Sequence, residues 1–116
     1  MLFHFLTTRQ RQQLIENGRE GAGREHRPDF KPVVKLYCPW SPAIWLLTEI
    51  DPDDYTQAYG LFDVGEGYAE LGSINLSELA SRRGPDKLRI ERDPYFKATK
   101  PLSTYAREAG VRIVRR

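Results

Sequence analysis

One cysteine and two histidines are all that the chain holds of the side chains that most often build zinc sites and nucleophile–base pairs. The lone Cys38 has no partner for an internal disulfide, which fits a reducing compartment. His4 and His26 both stand in the N-terminal segment with no metal-ligand spacing to Cys38. Neither cysteine–histidine catalysis nor zinc is therefore expected, and Cys38 reads as a buried structural thiol. Long apolar runs are also missing, since none approaches the roughly 20 residues that span a bilayer. The start MLFHFLTTRQ is too short an apolar patch, with no cleavage-like segment after it, to serve as a signal peptide. These absences together predict a cytoplasmic protein that uses no membrane and no cofactor. No internal repeats are present.

At 116 residues the chain matches one ordinary domain with one modest core. Its net charge of +2 conceals a segregation. Residues 48–78 carry eight carboxylates and no lysine or arginine, a local balance of −8, so the remainder carries +10. From 82 onward lysine and arginine dominate. Such a gradient steers charged partners.

Thr7 with Gln10 fits a helix-opening capping box, and Leu14 and Ile15 give the segment after it a narrow apolar face until Asn17 and Gly18 end it. The stretch NGREGAGREHRPDFKP mixes glycine, proline and charge, and predicts a flexible connector. The expected organisation is a short helix and connector over 1–30, then a single α+β domain over 31–116 whose core begins at Val33. VVKLYC and AIWLLTEI predict strands over 33–38 and 43–50, broken by PWSP. By strict alternation Ile44, Leu46 and Ile50 share one face and Trp45 and Leu47 the other, so this strand is apolar on both sides and belongs in the middle of the sheet. DPDD predicts a turn. Strands are then expected over 55–64 and 67–74. Asn75 with Glu78, and Ile74 with Leu79, predict a capped and stapled helix over 76–83 that Gly84 and Pro85 end. KLRIER predicts a short strand with Leu88 and Ile90 facing the core. A last helix is expected from Ser103 to Gly110, and VRIVRR follows as an edge strand or tail.

The stretch FDVGEGYAELG is the nearest approach to a nucleotide-binding loop. A phosphate loop needs glycines that lead into a helix N-terminus, and here a strand is expected to follow. The glycine spacing matches neither the dinucleotide fingerprint nor the P-loop, and Asp63, Glu66 and Glu70 repel phosphate. A glycine hairpin is the better reading. PDKLRIERD resembles the carboxylate–lysine pattern of metal-dependent nucleases but lacks the lysine two residues after the second acid. Asp51, Asp53 and Asp54 lack the glycine and closing glutamate of a calcium loop, which leaves a solvated turn.

The aromatic residues Trp40, Trp45, Tyr55, Tyr59, Tyr68, Tyr95, Phe96 and Tyr105 exceed what one small core buries, so some are expected at the surface. Tyr95 and Phe96 stand between Arg92 and Lys97, a pairing of ring and cation suited to stacking on single-stranded bases.

The phrases KPVVKLYCPW…WLLTEIDP, YGLFDVGEGYAELGSINLSEL, RGP…IERDPYFKA and KPLSTYAREAG resemble a family of small bacterial proteins of unknown function that are typically encoded on plasmids and integrated conjugative elements. The resemblance covers roughly 31–110. It implies no reaction and no catalytic residues, only a setting of DNA transfer, modification or evasion of host defence.

The expected fold is α+β, an antiparallel or mixed sheet of four to five strands with two or three short helices on one side. The expected function is non-enzymatic binding of nucleic acid, or of a protein that processes it, through Arg82, Arg83, Lys87, Arg89, Arg92, Tyr95, Phe96, Lys97 and Lys100. One alternative uses Asp51, Asp53, Asp54, Asp63 and Glu66 as a nucleic-acid mimic that inhibits a host defence enzyme of the anti-restriction or anti-CRISPR type. Another is a small metal-dependent hydrolase in which several of those carboxylates converge on a cation.

Overall fold

The computed structural model describes residues 3–111. The chain runs α1 (Thr8–Gly21), β1 (Val34–Tyr37), β2 (Ile44–Asp51), β3 (Asp54–Asp63), β4 (Glu70–Asn75), α2 (Leu76–Ser81), a 3₁₀ turn (Pro85–Lys87), β5 (Glu91–Arg92) and α3 (Leu102–Glu108). The five strands form one antiparallel sheet in the order β4-β3-β2-β1-β5, an α+β fold. β2 takes the middle, as its two apolar faces predict.

Local chemistry sets the turns. Between β2 and β3, Asp51 Oδ1 accepts the Asp53 N–H at 2.8 Å, an Asx turn. Between β3 and β4, Asp63 Oδ1 accepts the Gly65 N–H at 2.8 Å. Gly65 and Gly67 there adopt φ of 87° and 92°, a backbone that side chains rarely tolerate. FDVGEGYAELG is thus a strand-to-strand connection.

The sheet is covered on both faces, which corrects the expectation of helices on one side. The larger core joins α1 and α2 to the sheet through Leu14, Ile15, Leu36, Trp45, Leu47, Ile50 and Leu76. The smaller core lies under α3 and holds Leu46, Leu61, Leu102 and Ala106. Ile50 therefore packs with Trp45 and Leu47, against strict alternation. The reason is a β-bulge. Leu47 pairs with Gly60 and Glu49 with Tyr59, so Thr48 is an extra residue in β2. One inserted residue inverts the facing of everything after it, which turns Ile50 into the larger core and Glu49 out to the α3 face. The bulge is fastened on both sides. Thr48 Oγ1 donates to the Tyr59 carbonyl at 3.2 Å, and Asn17 Nδ2 donates to the Thr48 carbonyl at 2.9 Å.

The N-terminal segment departs most from expectation. Thr7 and Gln10 form the reciprocal capping box, but the helix continues past Gly18 to Gly21 because its face is buried. Phe3, Phe5, Leu14 and Ile15 belong to the core, so the core does not begin at Val33. At Gly18 the helix meets the sheet backbone to backbone. A Cβ there would lie 1.8 Å from the Ile50 carbonyl oxygen. His4 Nε2 hydrogen-bonds the Ile90 carbonyl at 2.7 Å. The stretch expected as a flexible connector is fastened too. The Leu102 N–H donates to the Phe30 carbonyl at 2.9 Å, and Asp29 accepts from the Ser103 N–H at 3.0 Å and from the Ser103 hydroxyl.

The Asp29 bonds explain a further correction. Ser103 does not cap α3, because its side chain is taken by Asp29, and the N-cap position falls to Pro101. α2 ends at Ser81, two residues before the expected boundary. Its cap is Asn75, which accepts the Glu78 N–H at 3.0 Å. KLRIER keeps only two strand residues. Ile90 is fully buried, whereas Leu88 is exposed, because the preceding turn passes through positive φ at Asp86 and Lys87 and breaks the period of two. The expected tail VRIVRR lies outside the described residues from 112 on. Cys38 is free and buried, in line with its structural reading.

Candidate functional site

The nine residues of the expected basic footprint run along the chain from the end of α2 through the 3₁₀ turn and β5 to the segment before α3, and they differ in availability. Arg82 donates to Glu78 Oε1 at 3.1 Å. Arg83 donates to the carbonyls of Ala80 and Arg82, each at 2.9 Å, near the end of α2. Lys100 pairs with Glu108 and lies 4.6 Å from the Tyr105 ring centroid. These three are engaged within the fold. Lys87, Arg89, Arg92 and Lys97 make no ion pair among the described residues. The two adjacent rings part company. Phe96 packs into the α3-side core with its centroid 6.3 Å from that of Tyr105. Tyr95 is 92% exposed, and its backbone is held by an Asx turn in which Asp93 Oδ1 accepts the Tyr95 N–H at 2.9 Å.

The expected acidic surface divides into two groups. Asp51, Asp53 and Asp54 sit at the β2–β3 turn, and Asp63 and Glu66 at the β3–β4 turn. Asp54 and Asp63 are the first and last of the ten residues of β3, a separation of about 30 Å at roughly 3.3 Å per residue. These side chains serve local turns. Asp54 accepts from the Thr56 hydroxyl and N–H, and the side-chain bond first and the backbone bond second hold its carboxyl below the usual range. Glu66 accepts from the Tyr68 hydroxyl and so raises the phenol's pKa. Among the described residues no three His, Cys, Asp or Glu side chains gather as a metal-ligand set, and no helix is long and apolar enough to cross a membrane.

A third site was not singled out from sequence. A cleft of ≈ 270 Å³ opens between the end of α1 and the sheet, lined by Gly18, Gly21, Arg27, Glu49, Asp53 and Tyr59 among others. Glu49, Tyr59 and Ser73 are cross-strand partners and share its wall. Glu49 is 7% exposed. Its Oε1 receives Arg27 Nη1 at 3.5 Å, and its buried Oε2 has no hydrogen-bond partner among the described residues. Arg27 lies over the Tyr59 ring, with Cζ 4.0 Å from its centroid. Burial pushes the Glu49 carboxyl above its ordinary pKa, and the Arg27 charge offsets only part of the rise. The sequence did hold a signal for this site. Glu49 is the single acid inside the apolar run AIWLLTEI, and a charge within a central strand needs a partner or a purpose.

A family model for proteins of unknown function, DUF2958, matches residues 5–112. The chain belongs to that family. The match begins ahead of α1, so the N-terminal helix is part of the family's domain, whereas the sequence resemblance was placed over 31–110 alone. No curated protein and no solved structure matches the chain.

Proposed function

We propose that this member of the DUF2958 family is a non-enzymatic binding protein that contacts single-stranded nucleic acid through the β5 side of its sheet. The observation that carries the reading is Tyr95, almost wholly exposed and held in place by its turn, close in the chain to cations that make no ion pair among the described residues. An exposed ring on a fixed backbone stacks on any base, and neighbouring lysines and arginines displace counterions from phosphate. The contact surface is Lys87, Arg89, Arg92, Tyr95 and Lys97. Arg82, Arg83 and Lys100 add field rather than direct contacts, since each already has a partner. The setting that accompanies this reading is the cytoplasm of a bacterium, in a protein carried by a plasmid or integrated conjugative element and acting on nucleic acid or beside a protein that processes it. The division of the carboxylates between the two ends of β3 gives the mimicry and hydrolase alternatives no comparable single surface.

Fluorescence anisotropy of a labelled single-stranded oligonucleotide across a salt series tests the proposal. About four neutralised phosphates give a slope of log K against log salt of about −3. Tyr95→Ala lowers affinity by about 1–3 kcal/mol per stacked base. A flat salt response, or unchanged affinity after Arg89→Glu and Arg92→Glu together, overturns it.

A further inference from the structure

The cleft beside Glu49 lies toward the β2–β3 turn, away from β5, and serves no part of the nucleic-acid reading. Its charge is one-sided. One cation, Arg27, faces the three carboxylates Glu49, Asp51 and Asp53 around the opening. The C-terminal turn of α1 borders the same space through Gly18, Gly21 and Ala22, and helix C-termini carry partial negative charge on carbonyls without helical partners. Glu49 Oε2 is an acceptor withdrawn from water with nothing to accept, an arrangement that costs free energy unless something fills it. The chain's own Arg27 displays the chemistry that suits the place, a cation over the Tyr59 ring with a nitrogen toward Glu49.

We propose that this cleft is a binding site for a small organic cation of the ammonium or guanidinium class, with Glu49 as the anchoring carboxylate and Tyr59 as part of its wall. The head group takes the place of the half-exposed Arg27 side chain and pairs with the Glu49 carboxylate, and Asp51 and Asp53 attract it to the opening. The β-bulge at Thr48 makes the site, because without it Glu49 would point into the larger core. Bulges recur where a strand must re-aim one functional side chain. The same head group is carried by free amines and by lysine or arginine side chains of a partner, and the test separates the two sources.

Isothermal titration calorimetry of the full chain against agmatine and putrescine, against N-acetyl-arginine amide, and against the neutral analogue n-butylurea reads the site directly. The expected result is binding of a cationic probe, no binding of the urea, and a loss of about 10-fold or more with Glu49→Gln, which keeps the shape and removes the charge. Should Glu49→Gln fail to fold by circular dichroism, Asp51→Asn with Asp53→Asn keeps the core intact and is expected to weaken binding about 3-fold through the exposed carboxylates. Tighter binding of agmatine or putrescine identifies a free amine as the occupant, and tighter binding of the arginine amide identifies a partner's side chain. Absence of binding by every cationic probe, equal binding of n-butylurea, or undiminished affinity in the carboxylate variants overturns the proposal.

Discussion

Leu46 and Leu47 are chain neighbours in β2, yet they belong to different cores. Leu47 enters the larger one, where α1 and α2 close over the sheet, and Leu46 enters the smaller one beneath α3. The α1 face is sealed by backbone contact at Gly18 and by long apolar side chains. The opposite face is covered by a helix of seven residues, and Glu49 and Tyr59 line a polar cleft that the end of α1 also borders. Stability is thus concentrated on one side of the sheet, and the other side is free to carry charge and an unsatisfied carboxylate.

The largest effect expected to test this division is on the larger core. Leu47→Ala is expected to cost about 4 kcal/mol and Leu46→Ala about 2 kcal/mol, both within the range for buried leucines and ordered by how completely each site is enclosed. Urea denaturation of the two variants checks it, and equal losses would break the comparison. Gly18→Ala comes next, at about 2–3 kcal/mol, because the added methyl must displace either the helix or the Ile50 carbonyl. Asn17→Leu removes the bond to the Thr48 carbonyl and leaves a buried acceptor unpaired, an expected cost of about 1–2 kcal/mol. Amide hydrogen exchange should then rise around Thr48 if the bulge depends on α1.

The smaller effects lie on the open face. Burial raises the Glu49 pKa in the folded chain above its unfolded value near 4.5, so the folded state holds that proton more tightly. The resulting stabilisation is full below the unfolded pKa and is lost as pH rises through the folded one. Glu49→Gln is therefore expected to flatten this fall between mildly acidic and neutral pH and to leave the neutral protein more stable than the parent. Thermal melts across that pH range measure it. The smallest expected change is that of Tyr95→Ala, under about 0.5 kcal/mol in stability since the ring touches solvent, with its consequence confined to oligonucleotide binding.

Much of the fold was legible because its signals are local. The apolar run AIWLLTEI, the Asx chemistry of DPDD, the glycines of GEG and the Thr7–Gln10 box each act over a few residues and each marks an expected element, although the period of two stops at the bulge and α1 runs past Gly18. Two things defeat that local pattern, a competing partner distant in the chain and an unforeseen turn beside the residue. Ser103 reads as a helix cap until Asp29 claims its hydroxyl. Leu88 reads as core until the turn at Asp86 and Lys87 rotates it outward. The basic footprint was legible as a list but not as a surface, since only folding decides that Tyr95 is free while Phe96 is packed against Tyr105.

The sequence by itself determined an α+β chain whose sheet, antiparallel or mixed, has β2 at its centre, because alternation and turn chemistry are short-range properties that need no knowledge of what packs above. Tertiary structure alone decided that the N-terminal helix joins the core and that β2 carries an extra residue at Thr48. Asn17 reaches that residue from 31 positions away. Such a contact is invisible to local pattern, and it decides on which side of the sheet Glu49 emerges.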